Sequence, residues 1–399
     1  AIRIVAAAAF ALSRIDVVVA RVFQPGVGPA KGRPLKEQFP WYHTAREIHE
    51  RLGELADGCR GARLHLGQRS RVNGDTGEVV RLDVVHISRR GASPMTRAML
   101  VFGAHARELI TPESALHLVE ALCGAGPAAA RADGVLDDVA FTIVPIANPL
   151  SRRKVEEGQY CLRTNEDGVD LNRNFGNKHR DVDSEEKRGD DTYPGPHGFS
   201  EPESLILRRL IDEERPEIYV SVHAGAYLLG TPFGYTRKRL PENERSINEI
   251  LGSISQTYCA GQCPHGRLAR VIHYDSPGCD MDYVAETLGT PYAFLWEIYT
   301  GASLRDEYIE EARRQNSRDA DPDSSDSDMS LVAMTARRRL LRSESRASAG
   351  DPSDDTEIEI CVEQFNPPTA REAREVLRRW TGAYLELCEQ VVLRRTAEA

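Results

Sequence analysis

The sequence predicts an α/β domain whose central sheet is largely parallel. Short apolar runs rich in strand-forming residues alternate along the chain with longer segments of helical period. Parallel strands need a long crossover between them, usually a helix, so this alternation favours a parallel sheet. Three of the apolar runs are also followed closely by histidine or glutamate, as is typical of sites at the carboxyl edge of such a sheet.

The composition limits the possible functions. The chain has 399 residues, 41% hydrophobic and 28% charged, which describes a globular protein with a sizeable core. A net charge of -10 argues against nucleic-acid binding, which requires clustered cations. No apolar run approaches the ~20 residues of a membrane span. The eight cysteines fit neither a small disulfide scaffold nor a zinc ribbon, although Cys259 and Cys263 are close enough for a local bridge.

Residues 1–38 are interpreted as a leader or flexible N-terminal extension, because proline and glycine are frequent between positions 25 and 34. Residues 4–12 follow Arg3 and resemble the apolar part of a secretory signal, with an alanine-rich helix as the alternative. We therefore favour a secreted or secretory-pathway protein and leave a cytoplasmic location open.

The elements of the folded region follow from residue patterns. A helix is predicted from Thr44 toward Gly58, and further helices at 112–122, 201–212 and 243–258. Strands are predicted at 62–66, 79–87, 98–102, 139–145, 217–222 and 292–296.

The strand at 98–102 leads into His105 and Glu108, and Thr111-Pro112 then supplies a helix cap and a proline at the first helical position. An imidazole and a carboxylate three residues apart can hold two positions of a zinc ion and need a third ligand. A second His-x-x-Glu, His117 to Glu120, lies within a predicted helix with no strand end before it. We predict no metal there.

Two other strands also end in functional residues. His223 directly follows the strand at 217–222, and Glu297 directly follows the strand at 292–296. Because the carboxyl ends of parallel strands meet at one edge of a sheet, His105, His223 and Glu297 are expected to converge.

The composition changes after Gly301. Residues 306–356 are acidic and rich in serine and arginine, which predicts a disordered insertion into a catalytic domain spanning 39–305. Residues 357–399 are predicted to form a strand and a helix that complete this domain, the helix at 369–393 carrying an apolar stripe.

The segment 161–176 combines Arg163, Asp170, Asn172 and Arg173 around a turn. The chain resembles the zinc metallocarboxypeptidase family of the carboxypeptidase A/B type, and is most similar to its plant and protist members. The resemblance rests on this segment together with His105-Ala-Arg-Glu108, Ser221-Val-His223 and Phe294-Leu-Trp-Glu297. The resemblance covers 39–301, with 361–393 matching the closing helix. It implies a three-layer fold with a mixed, largely parallel, twisted sheet and helices on both faces.

The resemblance also implies the metal site. His105, Glu108 and His223 match the ligands of one Zn²⁺ per chain, and Asp170 matches the acid that orients a zinc histidine. Glu297 matches the general base that acts on a metal-activated water to hydrolyse the C-terminal peptide bond.

The same resemblance implies the substrate contacts. Arg163 matches the residue that stabilises the oxyanion, Asn172 and Arg173 match the pair that binds the terminal carboxylate, and Arg107 matches a secondary contact. Tyr274 matches the mobile tyrosine that closes over the substrate, with Tyr283 as an alternative because the surrounding segment departs from the family's glycine-serine pattern.

The chain departs from the family's pattern at the specificity pocket and at the position after the third ligand. Met281 falls where the family sets preference, which favours an aliphatic or aromatic C-terminal residue, whereas a shift to Asp280 would favour Lys or Arg. Ala224 follows the third ligand where serine is common. Cys161 and Cys279 are interpreted as packing residues because no base partner is near in sequence.

The expected partners are peptide or protein C-termini, with no nucleic acid and a monomeric state. Two other functions remain open. One is a zinc amidohydrolase that deacylates N-acyl amino acids, and the other is a non-catalytic peptide-binding module of the same fold. The full set of Arg163, Asn172 and Arg173 argues against the first, and retention of every ligand and of Glu297 argues against the second.

Overall fold

The computed structural model describes residues 32–310, except positions 75, 92–93, 177–187, 303 and 307, and residues 354–398. Residues 1–31 of the predicted leader and 311–353 of the predicted insertion lie outside the described residues. The predicted domain boundaries at 38 and 305 stay predictions.

The strands form one mixed sheet. Their bounds are β1 Ala62–Val72, β2 Val79–Arg89, β3 Thr96–Phe102, β4 Val139–Val144, β5 Ile218–His223, β6 Leu228–Thr231, β7 His265–Arg267 and β8 Tyr292–Glu297. The order in the sheet is β1-β2-β4-β3-β5-β8-β6-β7. The central strands β4, β3, β5 and β8 are parallel, whereas β1 and β2 are antiparallel to each other and β6 is antiparallel to β8. The predicted mixed sheet is confirmed, and the sequence patterns missed only the short strands β6 and β7.

The helices cover both faces of the sheet, as predicted. Their bounds are α1 Leu35–Gln38, α2 Ala45–Gly58, α3 Ile110–Leu122, α4 Ala129–Val135, α5 Pro149–Glu156, α6 Pro202–Glu214, α7 Glu244–Cys259, α8 Leu268–Val271, α9 Asp280–Thr287, α10 Asp354–Phe365 and α11 Ala370–Glu398. Buried residues of α2, α3, α7 and α11 pack in one apolar cluster, and those of α6 and α9 pack in a second. The two clusters lie on opposite faces because successive side chains of a strand alternate between them.

The long helix α11 supports the sheet next to Glu297. Trp380 and Tyr384 are buried against Trp296, with ring centroids 5.8 and 5.7 Å from its own. Since Trp296 precedes Glu297 in β8, this aromatic contact fixes the strand end at which Glu297 lies.

The predicted strand after residue 357 is wrong, because that segment is the helix α10. Ile358, Ile360 and Val362 alternate as in a strand, but Ile360 is 38% exposed. The buried side chains are Ile358, Val362 and Phe365, whose spacing of four and three residues places them on one helical face.

Three disulfides join described cysteines: Cys59–Cys123, Cys161–Cys361 and Cys259–Cys263. The predicted local bridge between Cys259 and Cys263 is confirmed. Cys161 is not a free packing residue, because it forms a disulfide with Cys361, 200 positions along the chain. Cys279 is free and buried, as a packing residue would be. Such bridges are typical of oxidising compartments and are consistent with a secretory route. Across the described ranges, every helix is too short or too polar to cross a bilayer.

A buried glutamate in α6 predicts a pH-dependent stability. Burial, together with the charge of Glu201, raises the pKa of Glu203 to about 7 despite a hydrogen bond from Asn165. The folded protein therefore binds a proton more tightly than the unfolded chain. The resulting stability is present below the unfolded value near 4.5 and is lost as pH rises through about 7.

We expect Glu203→Gln to abolish this loss. The variant should gain on the order of 3 kcal/mol over the parent at pH 8, and much less at pH 5, because the amide carries no charge at either pH. Thermal unfolding of both proteins at several pH values measures the difference. Equal losses of Tm between pH 5 and pH 8 would contradict the assignment.

Candidate metal centre

The loop between β3 and α3 holds the first two candidate ligands. Gly103 has φ +65°, and a Cβ there would lie 3.1 Å from the Cα of Ile146, so glycine allows the chain to leave the strand beside that backbone. The helix begins at Ile110 rather than at Pro112, which places Thr111 inside its first turn and not at the cap. The Thr111 hydroxyl donates to the Glu108 carbonyl and accepts from the Gly103 amide, at 3.0 and 3.1 Å, and this closes the loop.

His105, Glu108 and His223 converge, as predicted. The Nδ1 atoms of the two histidines are 3.1 Å apart, and the Glu108 carboxylate lies 2.6 Å from Nδ1 of His105 and 3.5 Å from Nδ1 of His223. All three side chains are buried. The convergence follows from topology, since β3 and β5 are adjacent parallel strands that end at the same edge.

This donor set fits a zinc ion. The three ligand atoms lie within 4.8 Å of one another. Two nitrogens bound about 2.0 Å from one ion at a tetrahedral angle are about 3.3 Å apart, close to the separation of the two Nδ1 atoms. Within the described ranges, these residues form the one histidine, cysteine or carboxylate group compact enough to bind a metal, and His117 with Glu120 is not part of it.

The electrostatics of the group favour a charged carboxylate. Burial opposes ionisation of Glu108, but the His105 and His223 imidazoles outweigh it and hold the pKa of Glu108 well below its usual range. Burial lowers the pKa of His223 and Glu108 raises it, with a net increase. The Ala224 amide also donates to Glu108, at 3.0 Å.

Asp170 connects His105 to Arg163. Its Oδ1 lies 3.0 Å from Nε2 of His105, and its Oδ2 accepts from Nε and Nη2 of Arg163 at 3.1 and 2.8 Å. Asp170 is fully buried, and its burial is outweighed by Arg163 and His105, so its pKa is held well below the usual range. An acceptor at Nε2 leaves the lone pair of His105 on Nδ1, toward the other ligands.

Glu297 lies at the end of β8, paired with His223 in the strand register. It is partly buried, and its Oε2 accepts from the Ala226 amide at 3.2 Å. Burial and the Glu108 charge raise the pKa of Glu297 above 4.5, against the opposing effect of the two histidines. The structure thus brings together the four residues that the sequence placed at three strand ends.

Asn172 and Arg173 occupy a short 3₁₀ turn, Leu171–Arg173, and both are buried. Asn172 Oδ1 accepts from the Asp280 amide at 3.1 Å, and Nδ2 lies 3.2 Å from Nε2 of His223. Arg173 donates to the Asn172 carbonyl at 2.8 Å. The Asn172 amide is therefore already engaged by neighbouring residues, which the sequence did not predict.

Arg107 lies beside a segment that sequence reasoning missed. Its guanidinium stacks over Phe365, 4.1 Å from the ring centroid, and donates to the Cys161 carbonyl at 3.2 Å. Asn366 donates to the Arg107 carbonyl and accepts from the Ile110 amide. The end of α10 therefore packs on the ligand loop, and the Cys161–Cys361 bridge ties it to the segment that carries Arg163.

The remaining predicted residues lie near α9. Tyr274 is 48% exposed on the loop before this helix, whereas Met281 and Tyr283 are buried within it. Asp280 Oδ2 accepts hydroxyl hydrogen bonds from Tyr219 and Ser221, both at 2.7 Å. Ser221, which contacts His223 directly, was not predicted, although its place two residues before a ligand in a strand puts it on the same face.

The fold and this group define a class, namely proteins with a buried site for one metal ion at the edge of a mixed α/β sheet. A sequence profile of the family described as zinc carboxypeptidase matches residues 68–318. The chain belongs to the zinc carboxypeptidase family. The predicted family and its zinc cofactor are confirmed at this level.

Individual relatives are distant. The chain is 27% identical over 305 residues to zinc carboxypeptidase A 1 of Anopheles gambiae, covering 71% of this chain and 66% of that protein. It is 27% identical over 213 residues to the Drosophila melanogaster protein of the same name, covering 49% of this chain and 47% of that protein. The chain thus spans between about half and two thirds of these two relatives.

A solved structure agrees in fold. Bovine thrombin-activatable fibrinolysis inhibitor, in complex with tick carboxypeptidase inhibitor, superposes with a TM-score of 0.60 at 18% identity, covering 88% of this chain and 98% of that one. At this identity the likeness supports the fold, and the activity of this chain is argued from its own site.

Proposed function

We propose that the chain is a zinc-dependent metallocarboxypeptidase that hydrolyses the C-terminal peptide bond of peptides or proteins. The observation that carries the proposal is the buried group of His105, Glu108 and His223 with Glu297 on the adjacent strand end. Family membership makes this group the expected catalytic centre.

Each residue has a role that its position supports. A zinc ion held by the three ligands would supply Lewis-acid polarisation of the scissile carbonyl. Glu297 takes a proton from the attacking water and returns it to the leaving amine nitrogen, and its raised pKa improves its strength as a base. Arg163, held by Asp170, donates to the oxygen on which negative charge develops.

Arg173 binds the terminal carboxylate of the substrate in this proposal. A guanidinium presents two parallel N–H donors to a carboxylate, whereas an ammonium presents a single point charge. Asn172 holds the Asp280 amide on one side of the same turn, and thus fixes the turn that carries Arg173.

The proposal is tested with three matched substrates: an N-blocked dipeptide with a free carboxylate, the same dipeptide as its C-terminal amide, and an N-acyl amino acid with a short acyl group. We expect rapid release of the last amino acid from the free acid only, with loss on chelation and recovery with Zn²⁺. Preference for the N-acyl amino acid would establish the amidohydrolase alternative. Peptide binding without turnover by the zinc-loaded protein would establish the binding module.

Arg173→Ala is expected to raise KM for the free-acid dipeptide by about 10- to 100-fold, because a charge-assisted bidentate contact contributes about 1.5–3 kcal/mol. Arg173→Lys should recover only part of this because it keeps the charge without the fork. Steady-state kinetics on the free acid and the amide measure the effect. An unchanged preference for the free acid over the amide would refute the carboxylate contact.

The side-chain preference is proposed to be apolar. Met281 is buried and apolar, and the Asp280 carboxylate is already engaged by two hydroxyl groups and its neighbouring backbone amide. Turnover of peptides that differ only in the last residue decides between aliphatic or aromatic and basic residues. The disulfides support a secretory route for the protein, and the monomeric state stays a prediction.

A further inference from the structure

A chain of buried polar groups lies behind His223. The Ser221 hydroxyl oxygen is 2.9 Å from Nε2 of His223 and 2.7 Å from Oδ2 of Asp280. None of the three residues exposes more than 2% of its surface. His105 differs, since its Nε2 contacts the Asp170 carboxylate directly.

The hydrogen positions in this chain follow from the chemistry of its groups. A serine hydroxyl has one hydrogen to donate, and a carboxylate is an acceptor. With Asp280 at 2.7 Å, that hydrogen points to the carboxylate, so the Ser221 oxygen presents a lone pair to His223. The imidazole therefore donates an N–H at Nε2 to the Ser221 oxygen, which leaves the lone pair of the ring on Nδ1. Nδ1 is the atom that faces His105 and Glu108.

Asn172 is the competing neighbour. Its Nδ2 lies 3.2 Å from the same Nε2 and would favour a lone pair there. The Ser221 contact is shorter and is backed by a carboxylate, and charge-assisted hydrogen bonds are roughly twice as strong as neutral ones. The contacts at Nε2 therefore favour a hydrogen on this atom, and Nδ1 is the atom left to bind the metal ion beside Glu108.

The geometry of β5 and α9 holds Asp280 in place. Tyr219, Ser221 and His223 alternate along β5, so their side chains lie on one face, and the first two both donate to Asp280 Oδ2. The Met281 amide donates to Oδ1 at 2.7 Å, and the Asp280 amide donates to Asn172. These contacts hold the Asp280 carboxylate in one position. From there it acts on His223 indirectly, through the Ser221 hydroxyl.

We propose that Ser221 and Asp280 are positioning residues that fix the proton of His223 on Nε2 and so present its Nδ1 to the metal ion. The proposal rests on the metal site described above and not on peptidase activity, because it is tested by metal binding without substrate. Asp170 orients His105 in the same way, but its carboxylate contacts Nε2 directly and not through a serine hydroxyl.

The test is the dissociation constant for Zn²⁺ of the full chain, measured by competition with a chromophoric chelator. Ser221→Ala is expected to weaken binding by about 10- to 100-fold, the usual effect of losing an outer partner of a metal ligand. Asp280→Asn should weaken it less, since the amide oxygen can still accept from Ser221. The double variant should bind no more than about twofold weaker than Ser221→Ala alone, because Asp280 acts through Ser221.

Ser255→Ala is the matched control. It removes another buried serine hydroxyl, which donates to the Cys263 carbonyl away from the site, and zinc affinity should be unchanged. Wild-type affinity in Ser221→Ala, or additive losses in the double variant, would overturn the proposal. Failure of the parent chain to bind zinc would refute the metal site as a whole, whereas zinc binding without peptide hydrolysis would refute only the proposed function.

Discussion

Replacement of Glu297 by glutamine is expected to lower kcat by about 10²- to 10⁴-fold, the usual contribution of a general base. Glutamine keeps the shape of the side chain and can still accept from the Ala226 amide, but it cannot take a proton from water. Steady-state kinetics on the free-acid dipeptide measure the loss, and zinc titration shows that the metal site is intact.

Two comparisons make this result specific. Glu249→Gln removes a half-exposed carboxylate on α7 and should leave kcat unchanged. A normal kcat for Glu297→Gln would show that another group accepts the proton. A low kcat accompanied by lost zinc would show that Glu297 acts by supporting the metal site.

Replacement of His223 by alanine is expected to abolish activity and to weaken Zn²⁺ binding by more than about 100-fold, because loss of a ligand costs more than loss of its outer partner. Two of the three donors remain, and Glu108 loses one of the two imidazoles that hold its pKa low. Competition with a chelator measures the zinc affinity, and the dipeptide assay with excess zinc measures the residual activity.

The chain contains a control for this variant. His117 belongs to a second His-x-x-Glu in α3, where its Nδ1 contacts the Thr381 hydroxyl at 2.7 Å and Glu120 pairs with Arg51. His117→Ala should bind zinc as the parent does. Loss of zinc in both variants to the same extent would contradict the assigned ligand set.

Local patterns predicted the parallel core of the sheet and its four main site residues. His105 lies just after β3, and His223 and Glu297 are the last residues of β5 and β8, whose apolar runs were long enough to recognise. Parallel strands that lie side by side bring their carboxyl ends together, so positions far apart in the chain meet without any further information.

Short elements and alternating patterns were less informative. The strands β6 and β7 have four and three residues, too few for a period to be visible. In α10, the apolar residues fit both the period of a strand and one face of a helix. Only the burial of Ile358, Val362 and Phe365 shows that the segment is a helix.

By itself, the sequence determined the fold class, the candidate zinc ligands and Glu297, because strand periodicity and the residues that end each strand are local properties. The tertiary structure decided which groups stand behind those ligands. Asp280 reaches Ser221 across 59 positions, Asn366 reaches Arg107 across 259, and Cys161 reaches Cys361 across 200. Such contacts depend on how helices and loops dock on the sheet, and docking is set by side-chain packing that no local pattern encodes.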